Sequence, residues 1–279
     1  MTTGSQANGD GRDVQVRIAL AQVNADQQPA KNIAAAGRLA RQAAAGGAGL
    51  LVLPEMFMAR PTADNPPAKL VAADGGRFRD ALAQIAADNE IFVVAGGWEG
   101  STHPGRAFNT LFTFSPRGQL VAAYRKLHLF DALSIRESDI LVPGAALPPV
   151  IDLGGIRMGF AICYDLRFPE LFRCLAAQGV ELVIVAAAWY QGAMKEDHWL
   201  TLLRARAIEN TCYVAGCNLV GPAFCGRSTL FDPFGVPLAG AGEAPALIFG
   251  QVSAGRVAAV REKLPALAHR RLDLLGPGG

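Results

Sequence analysis

The sequence predicts an α/β layered domain. Strand-like segments alternate with helical ones along nearly the whole chain. Several strands, such as Leu50-Leu51-Val52-Leu53 and Leu182-Val183-Ile184-Val185, are apolar throughout. A strand without a polar face is buried on both sides, so its sheet needs cover on both faces. The hydrophobic share, 51% of 279 residues, supplies enough apolar surface for a large core. No compositional break divides the chain. Residues 14–279 therefore read as a single domain behind a polar, glycine-containing tail at 1–13, expected to be disordered.

The first strand falls at 17–23. Residues 31–45 are alanine-rich and end at Gly46-Gly47, the composition and stop signal of a helix. A short buried strand at 50–53 ends at Pro54. A helix covers 78–89, and a strand at 91–94 runs into Gly96-Gly97. Strands at 110–114 and 120–124 flank Pro116-Arg117-Gly118, a turn. A strand at 156–162 is followed by a helix opening at Pro169, a residue favoured in the first helical turn, and closing near Gln178-Gly179. The next strand is 182–185. A helix at 198–210 carries Trp199, Leu202 and Leu203 at helical spacing. Strands at 213–217, 228–231 and 247–252 precede a last helix at 254–263.

Bulk chemistry narrows the function. Only 18% of residues are charged and the net charge is +2, so no polybasic surface for nucleic acid or anionic membrane is expected. No apolar run reaches the roughly 20 residues of a membrane span. The cysteines at 163, 174, 212, 217 and 225 show neither CxxC pairing nor zinc-type spacing, so no metal and no cofactor are expected. Free thiols fit a reducing cytoplasm.

Three strands end in reactive groups: 50–53 in Pro54-Glu55, 120–124 in Arg125-Lys126, and 156–162 in Cys163. In α/β sheets ligands bind beyond the carboxyl ends of strands. Each group also has a plain structural reading, because strand-end charges are usually solvated and cysteine is often inert core. Spacing alone leaves both readings open. No G-x-S-x-G elbow, P-loop or dinucleotide fingerprint competes.

The segments "LVLPEMF" at 51–57, "YRKLHLFD" at 124–131 and "ICYDLRFPE" at 162–170 resemble the three signature segments of the nitrilase superfamily of carbon–nitrogen hydrolases, in that family's order. "RESD" at 136–139, followed by Pro143-Gly144, resembles the segment carrying the family's second glutamate. The resemblance spans about residues 16–271. "HLFDALSIRES", "CYDLRFPE", "DHWLTLLRARAIENTCYVA" and "STLFDPFGV" resemble the Nit branch, which includes deaminated glutathione amidase and omega-amidase. Two positions depart from that branch, Ala186 and Leu200, both expected near the substrate.

The resemblance implies a four-layer α-β-β-α sandwich and a homodimer or higher homo-oligomer. It implies hydrolysis of a small linear amide through a thioester on Cys163, with Glu55 as acid and base. Deaminated glutathione is the first substrate, with α-ketoglutaramate or an N-carbamoyl amino acid as alternatives. Lys126 and the Tyr164 backbone N–H are then oxyanion donors, and Glu137 holds Lys126. Trp189 becomes a pocket wall. Arg167 either grips a substrate carboxylate or pairs internally with Asp165 or Glu170, and the two readings stand level.

Overall fold

The computed structural model describes residues 13–275. The expected tail at 1–13 lies outside the described residues except for Asp13, as do residues 276–279. Asp13 is tied down: its carboxylate accepts from the Ser253 hydroxyl at 2.5 Å and from Gly255 N at 2.7 Å.

The first half runs β1 (Gln15–Gln22), α1 (Pro29–Ala45), β2 (Leu50–Val52), α2 (Pro67–Asn89), β3 (Phe92–Gly100), β4 (Ala107–Phe114) and β5 (Leu120–Arg125). A small hairpin follows, β6 (Asp131–Ala132) and β7 (Ile135–Arg136), then a 3-10 turn at Glu137–Asp139. The second half begins with β8 (Ile151–Asp152), β9 (Arg157–Ile162), a 3-10 segment (Cys163–Arg167), α3 (Pro169–Ala177), β10 (Leu182–Ala187) and α4 (Lys195–Asn210). It continues with β11 (Tyr213–Asn218), the short pair β12 (Val220–Gly221) and β13 (Phe224–Cys225), then β14 (Thr229–Phe231) and β15 (Pro237–Gly240). Strand β16 (Ala246–Ser253) and α5 (Ala254–Lys263) close the main body.

Two sheets result, ordered β16-β1-β2-β3-β4-β5 and β15-β14-β11-β10-β9-β8. Each has a parallel trio at its centre, β1-β2-β3 or β9-β10-β11. The trio strands are joined by helical crossovers, as parallel pairing requires.

The period-two alternation of side chains sets the layers. Ile18 and Leu20 of β1 point inward with Phe160, Ile162 and Ile184 of the second sheet, forming the core between sheets. Ala19 and Ala21 face outward against Ala36 and Ala40 of α1 and Leu82 of α2. Ala161, Val183 and Val185 face outward against Leu171 and Leu175 of α3 and Trp199 and Leu203 of α4. The molecule is thus an α-β-β-α sandwich. Close packing of α4 on β11 depends on Gly216, where a Cβ would stand 2.5 Å from Leu203.

Three helices start earlier than the sequence reading placed them, the one expected at 31–45 by two residues, at Pro29. The helix expected at 78–89 begins at Pro67, whose missing N–H costs nothing in a first turn. The helix expected at 198 begins at Lys195, after Gly192 (φ 142°) and Met194 in the left-handed region (φ 61°). Strand β15, not anticipated, pairs with β14 through a bulge.

Candidate active site

Glu55 sits in the turn after β2. Leu53 N donates to Val94 O, Met58 N to Gly96 O and Gly96 N to Pro54 O, so the turn is fastened to β3 on both sides. Gly96 makes this possible: a Cβ there would lie 2.6 Å from the Glu55 Cα. Lys126 follows β5, where its N–H donates to Asn109 O and its carbonyl accepts from Gly144 N. Glu137 opens the 3-10 turn behind the β6-β7 hairpin. Cys163 lies directly beyond β9, in the left-handed region at φ 45°, as the first residue of the 3-10 segment.

These side chains form one buried array. Glu55 and Lys126 are each 1% exposed. Lys126 Nζ donates to Glu55 Oε1 at 3.1 Å and to both Glu137 oxygens at 2.9 Å. Glu55 is further held by Asn109 Nδ2 at 2.7 Å and by the Ala188 N–H at 2.6 Å. Glu137 also accepts from Phe130 N at 2.7 Å. Burial opposes a charge on Lys126, but the two carboxylates and Cys163 prevail and hold its ammonium well above the usual lysine range.

Cys163 goes the other way. Burial, then the Glu55 charge, raise its thiol well above the ordinary range, with Lys126 opposing. The Lys126 ammonium and the helix N-terminus at Pro169 would by themselves favour the thiolate. In the structure desolvation outweighs them, and the 3-10 segment stands between Cys163 and α3. The resting form of Cys163 is therefore the thiol. The Tyr164 N–H lies in the first turn of the 3-10 segment, where amides have no intrahelical acceptor.

One pocket contains Glu55, Glu137, Cys163, Tyr164, Arg167 and Trp189. Lys126 sits behind Glu55 and Glu137. Phe130 and Tyr164 meet edge to face at 4.9 Å along its wall. Arg167 lies over the Trp189 ring with its Cζ 4.8 Å from the centroid. Among the described residues it makes no ion pair with Asp165 or Glu170, and its guanidinium comes within 3.5 Å of His198 Nδ1. Asp165 is engaged elsewhere, accepting from Tyr124 Oη (2.7 Å), Ile162 N (3.0 Å), His128 N (3.0 Å) and His128 Nδ1 (2.7 Å).

Sequence reasoning missed Asn109 and Lys195. Asn109 had a signal, a lone amide among apolar residues in "AFNTLFTF". Lys195 had none, since its helix was taken to start later. Ala186 and Leu200 do not line the pocket: Ala186 packs between the sheets, and Leu200 borders a separate groove of about 650 Å³ beside β15. That groove holds none of Glu55, Lys126 and Cys163. Among the described residues no cluster of three His, Cys, Asp or Glu is arranged to hold a metal ion, and no helix is long and apolar enough to cross a membrane.

Comparison with known proteins agrees with the geometry. The pattern defining the carbon-nitrogen hydrolase family matches residues 17–262. A deaminated glutathione amidase of Escherichia coli O157:H7 is 46% identical over 168 residues, 60% of this chain and 64% of that protein, just under two thirds of its length. The NitFhit protein of C. elegans superposes with a TM-score of 0.87 at 31% identity, covering 93% of this chain and 66% of that one. An amidase variant from Nesterenkonia sp. AN1, bearing the acetamide moiety of fluoroacetamide on its active-site cysteine, superposes with a TM-score of 0.80 at 30% identity. That match covers 93% of this chain and 95% of the other.

Proposed function

The chain belongs to the carbon–nitrogen hydrolase family, on its Nit branch, and from that premise we propose that it hydrolyses the amide of deaminated glutathione. It is an amidase. The observation that carries the reading is the buried Glu55–Lys126–Glu137 array sharing one pocket with Cys163.

As the Cys163 sulfur attacks the amide carbonyl, its proton passes to Glu55. The tetrahedral oxyanion forms between Lys126 Nζ and the Tyr164 N–H. Collapse breaks the C–N bond while protonated Glu55 delivers its proton to the departing nitrogen. The amine leaves, cysteinylglycine from deaminated glutathione or ammonia from a primary amide, and a thioester remains on Cys163. Glu55 then deprotonates water as it attacks the thioester. The second tetrahedral species releases the acid and the sulfur, which recovers its proton from Glu55. Lys126 cannot itself act as the base, because its ammonium is held protonated between two carboxylates. Glu137 fixes that ammonium, and Asn109 with the Ala188 N–H fixes Glu55.

Arg167, unpaired with carboxylate among the described residues, is assigned to the substrate's carboxylate, and Trp189 to the wall beneath it. The name of the Escherichia coli relative supports deaminated glutathione as the acyl source. Free thiols at all five cysteines support a cytoplasmic setting. A homodimer, carried by the family resemblance, is the expected assembly; a single monomer boundary in sedimentation velocity would overturn it.

The deciding experiment measures hydrolysis of deaminated glutathione, read as cysteinylglycine release, against α-ketoglutaramate, N-carbamoyl amino acids and simple nitriles, read as ammonia release. Deaminated glutathione should show the highest kcat/KM. A higher value for any other member reassigns the substrate.

A further inference from the structure

Lys195 opens α4 and is only 9% exposed. Its carbonyl accepts from Trp189 Nε1 at 2.8 Å, which locks the start of the helix to the pocket wall. Its ammonium stands 4.9 Å from the Trp189 ring centroid and 5.3 Å from that of Phe130, and the residue lines the Cys163 pocket. Among the described residues it has no carboxylate partner. Arg167 approaches the same indole at 4.8 Å, also without a carboxylate.

Two like charges thus share one aromatic ring in a largely buried pocket. Ring faces attract cations but do not replace a counter-ion or three hydrogen-bond acceptors. Burial, and then the Arg167 charge, push the Lys195 ammonium below the ordinary lysine range, so the free site is electrostatically unsatisfied. The inner array is opposite in character: two carboxylates, Glu55 and Glu137, surround the single ammonium of Lys126. The pocket is therefore negative at the nucleophile and doubly positive at Trp189. An amide bearing a remote carboxylate would enter with its amide toward Cys163 and its acid toward the cations.

We infer that Lys195 and Arg167 together form a two-armed carboxylate receptor on the Trp189 platform, with Lys195 a specificity-determining residue that selects anionic amides. The inference deepens the amidase reading and rests on it. The carboxylate takes a bidentate pair of hydrogen bonds from the Arg167 guanidinium and a third from Lys195 Nζ, which satisfies both cations at once.

The test compares glutaramate with its methyl ester, two amides of one length that differ in the charge at the far end. The parent protein should prefer the acid in kcat/KM. In Lys195→Met that preference should fall at least about ten-fold, mainly through KM for the acid, as loss of one charge-assisted hydrogen bond implies. Lys195→Arg should restore most of it. A preference that moves less than about two-fold in Lys195→Met overturns the inference. Should Lys195→Met fail to fold, Lys195→Gln is read the same way. If the parent protein hydrolyses neither amide nor any amide of the substrate panel, the amidase reading falls instead. Glutarate binding by calorimetry then still decides the receptor: weaker binding in the variant supports it, and equal binding removes it.

Discussion

Cys163 and Glu55 are each unremarkable alone, and their joint chemistry comes from what each does to the other's proton. The Glu55 carboxylate helps hold the Cys163 thiol well above the ordinary range, so at neutral pH the sulfur is protonated. Glu55→Gln removes that charge. Alkylation of Cys163 by iodoacetamide at pH 7.5 should therefore speed up, while amide hydrolysis falls by about 10²–10⁴-fold with the proposed base gone. Peptide mass spectrometry reads the labelling, with exposed Cys174 as internal reference, and a separate turnover assay reads the hydrolysis. Labelling no faster than in the parent would contradict the charge argument. Cys212, pushed by burial to about 12, and Cys225, pushed to about 11, should stay unlabelled. Lys126→Met removes the cation between two carboxylates and one oxyanion donor. Amide hydrolysis should fall by at least about 10²–10³-fold, a range set by the proposed oxyanion donor alone. At this scale the sequence was most legible for Glu55, Lys126 and Cys163, because reactive types stood at strand ends inside recognisable segments. Asn109 offered only a lone amide in an apolar strand, and its partner stands 54 residues away; Lys195 offered nothing, since its helix start is unmarked.

Among the elements, the turn after β9 bears the strain. A non-glycine residue at φ 45° is disfavoured, and such strain costs about 1–3 kcal/mol. Asp165 holds the turn: from the 3-10 segment it reaches back to Ile162 N and across to Tyr124 and His128. His128 is itself stacked on Phe168 at 3.6 Å. Asp165→Ala would leave several buried donors without an acceptor, at about 1–3 kcal/mol each. The thermal midpoint should fall on the order of 10 °C, with activity falling as the Cys163 turn relaxes. Tyr124→Phe removes one of those bonds and should cost only about 1 kcal/mol, with kcat nearly unchanged. Calorimetry and steady-state kinetics on the two variants separate a clamp from a spectator; equal losses would refute the clamp. The strands were readable because their apolar runs and period two are local properties. The start at Pro67 carried the same first-turn proline as Pro169, but Gly75-Gly76 read as a break inside that helix, and the start at Lys195 rests on a left-handed Met194 that only the backbone shows.

For the whole molecule, the site is assembled across the seam of the sandwich. Glu55, Asn109 and Lys126 come from the first sheet, whereas Cys163, Ala188 and Trp189 come from the second. No local pattern records how two sheets face each other. The four layers were therefore an implication of family resemblance, and periodicity reached only as far as covered sheets. The seam itself is the inter-sheet core of Ile18, Leu20, Phe160 and Ile184. This makes a contrast testable. Phe160 lies fully buried in the seam, and Leu82 lies fully buried in the outer layer under α2. Truncating either to Ala costs about 2–5 kcal/mol. Only the seam variant lets Cys163 shift relative to Glu55, and a misplacement of about 1 Å can cost roughly 10²-fold in rate. Assayed well below both thermal midpoints, Phe160→Ala should lose more than about ten-fold in kcat, whereas Leu82→Ala should stay within about three-fold of the parent. Equal kcat losses would mean that the site tolerates movement at the seam. Registration of the two sheets would then be a requirement of stability alone.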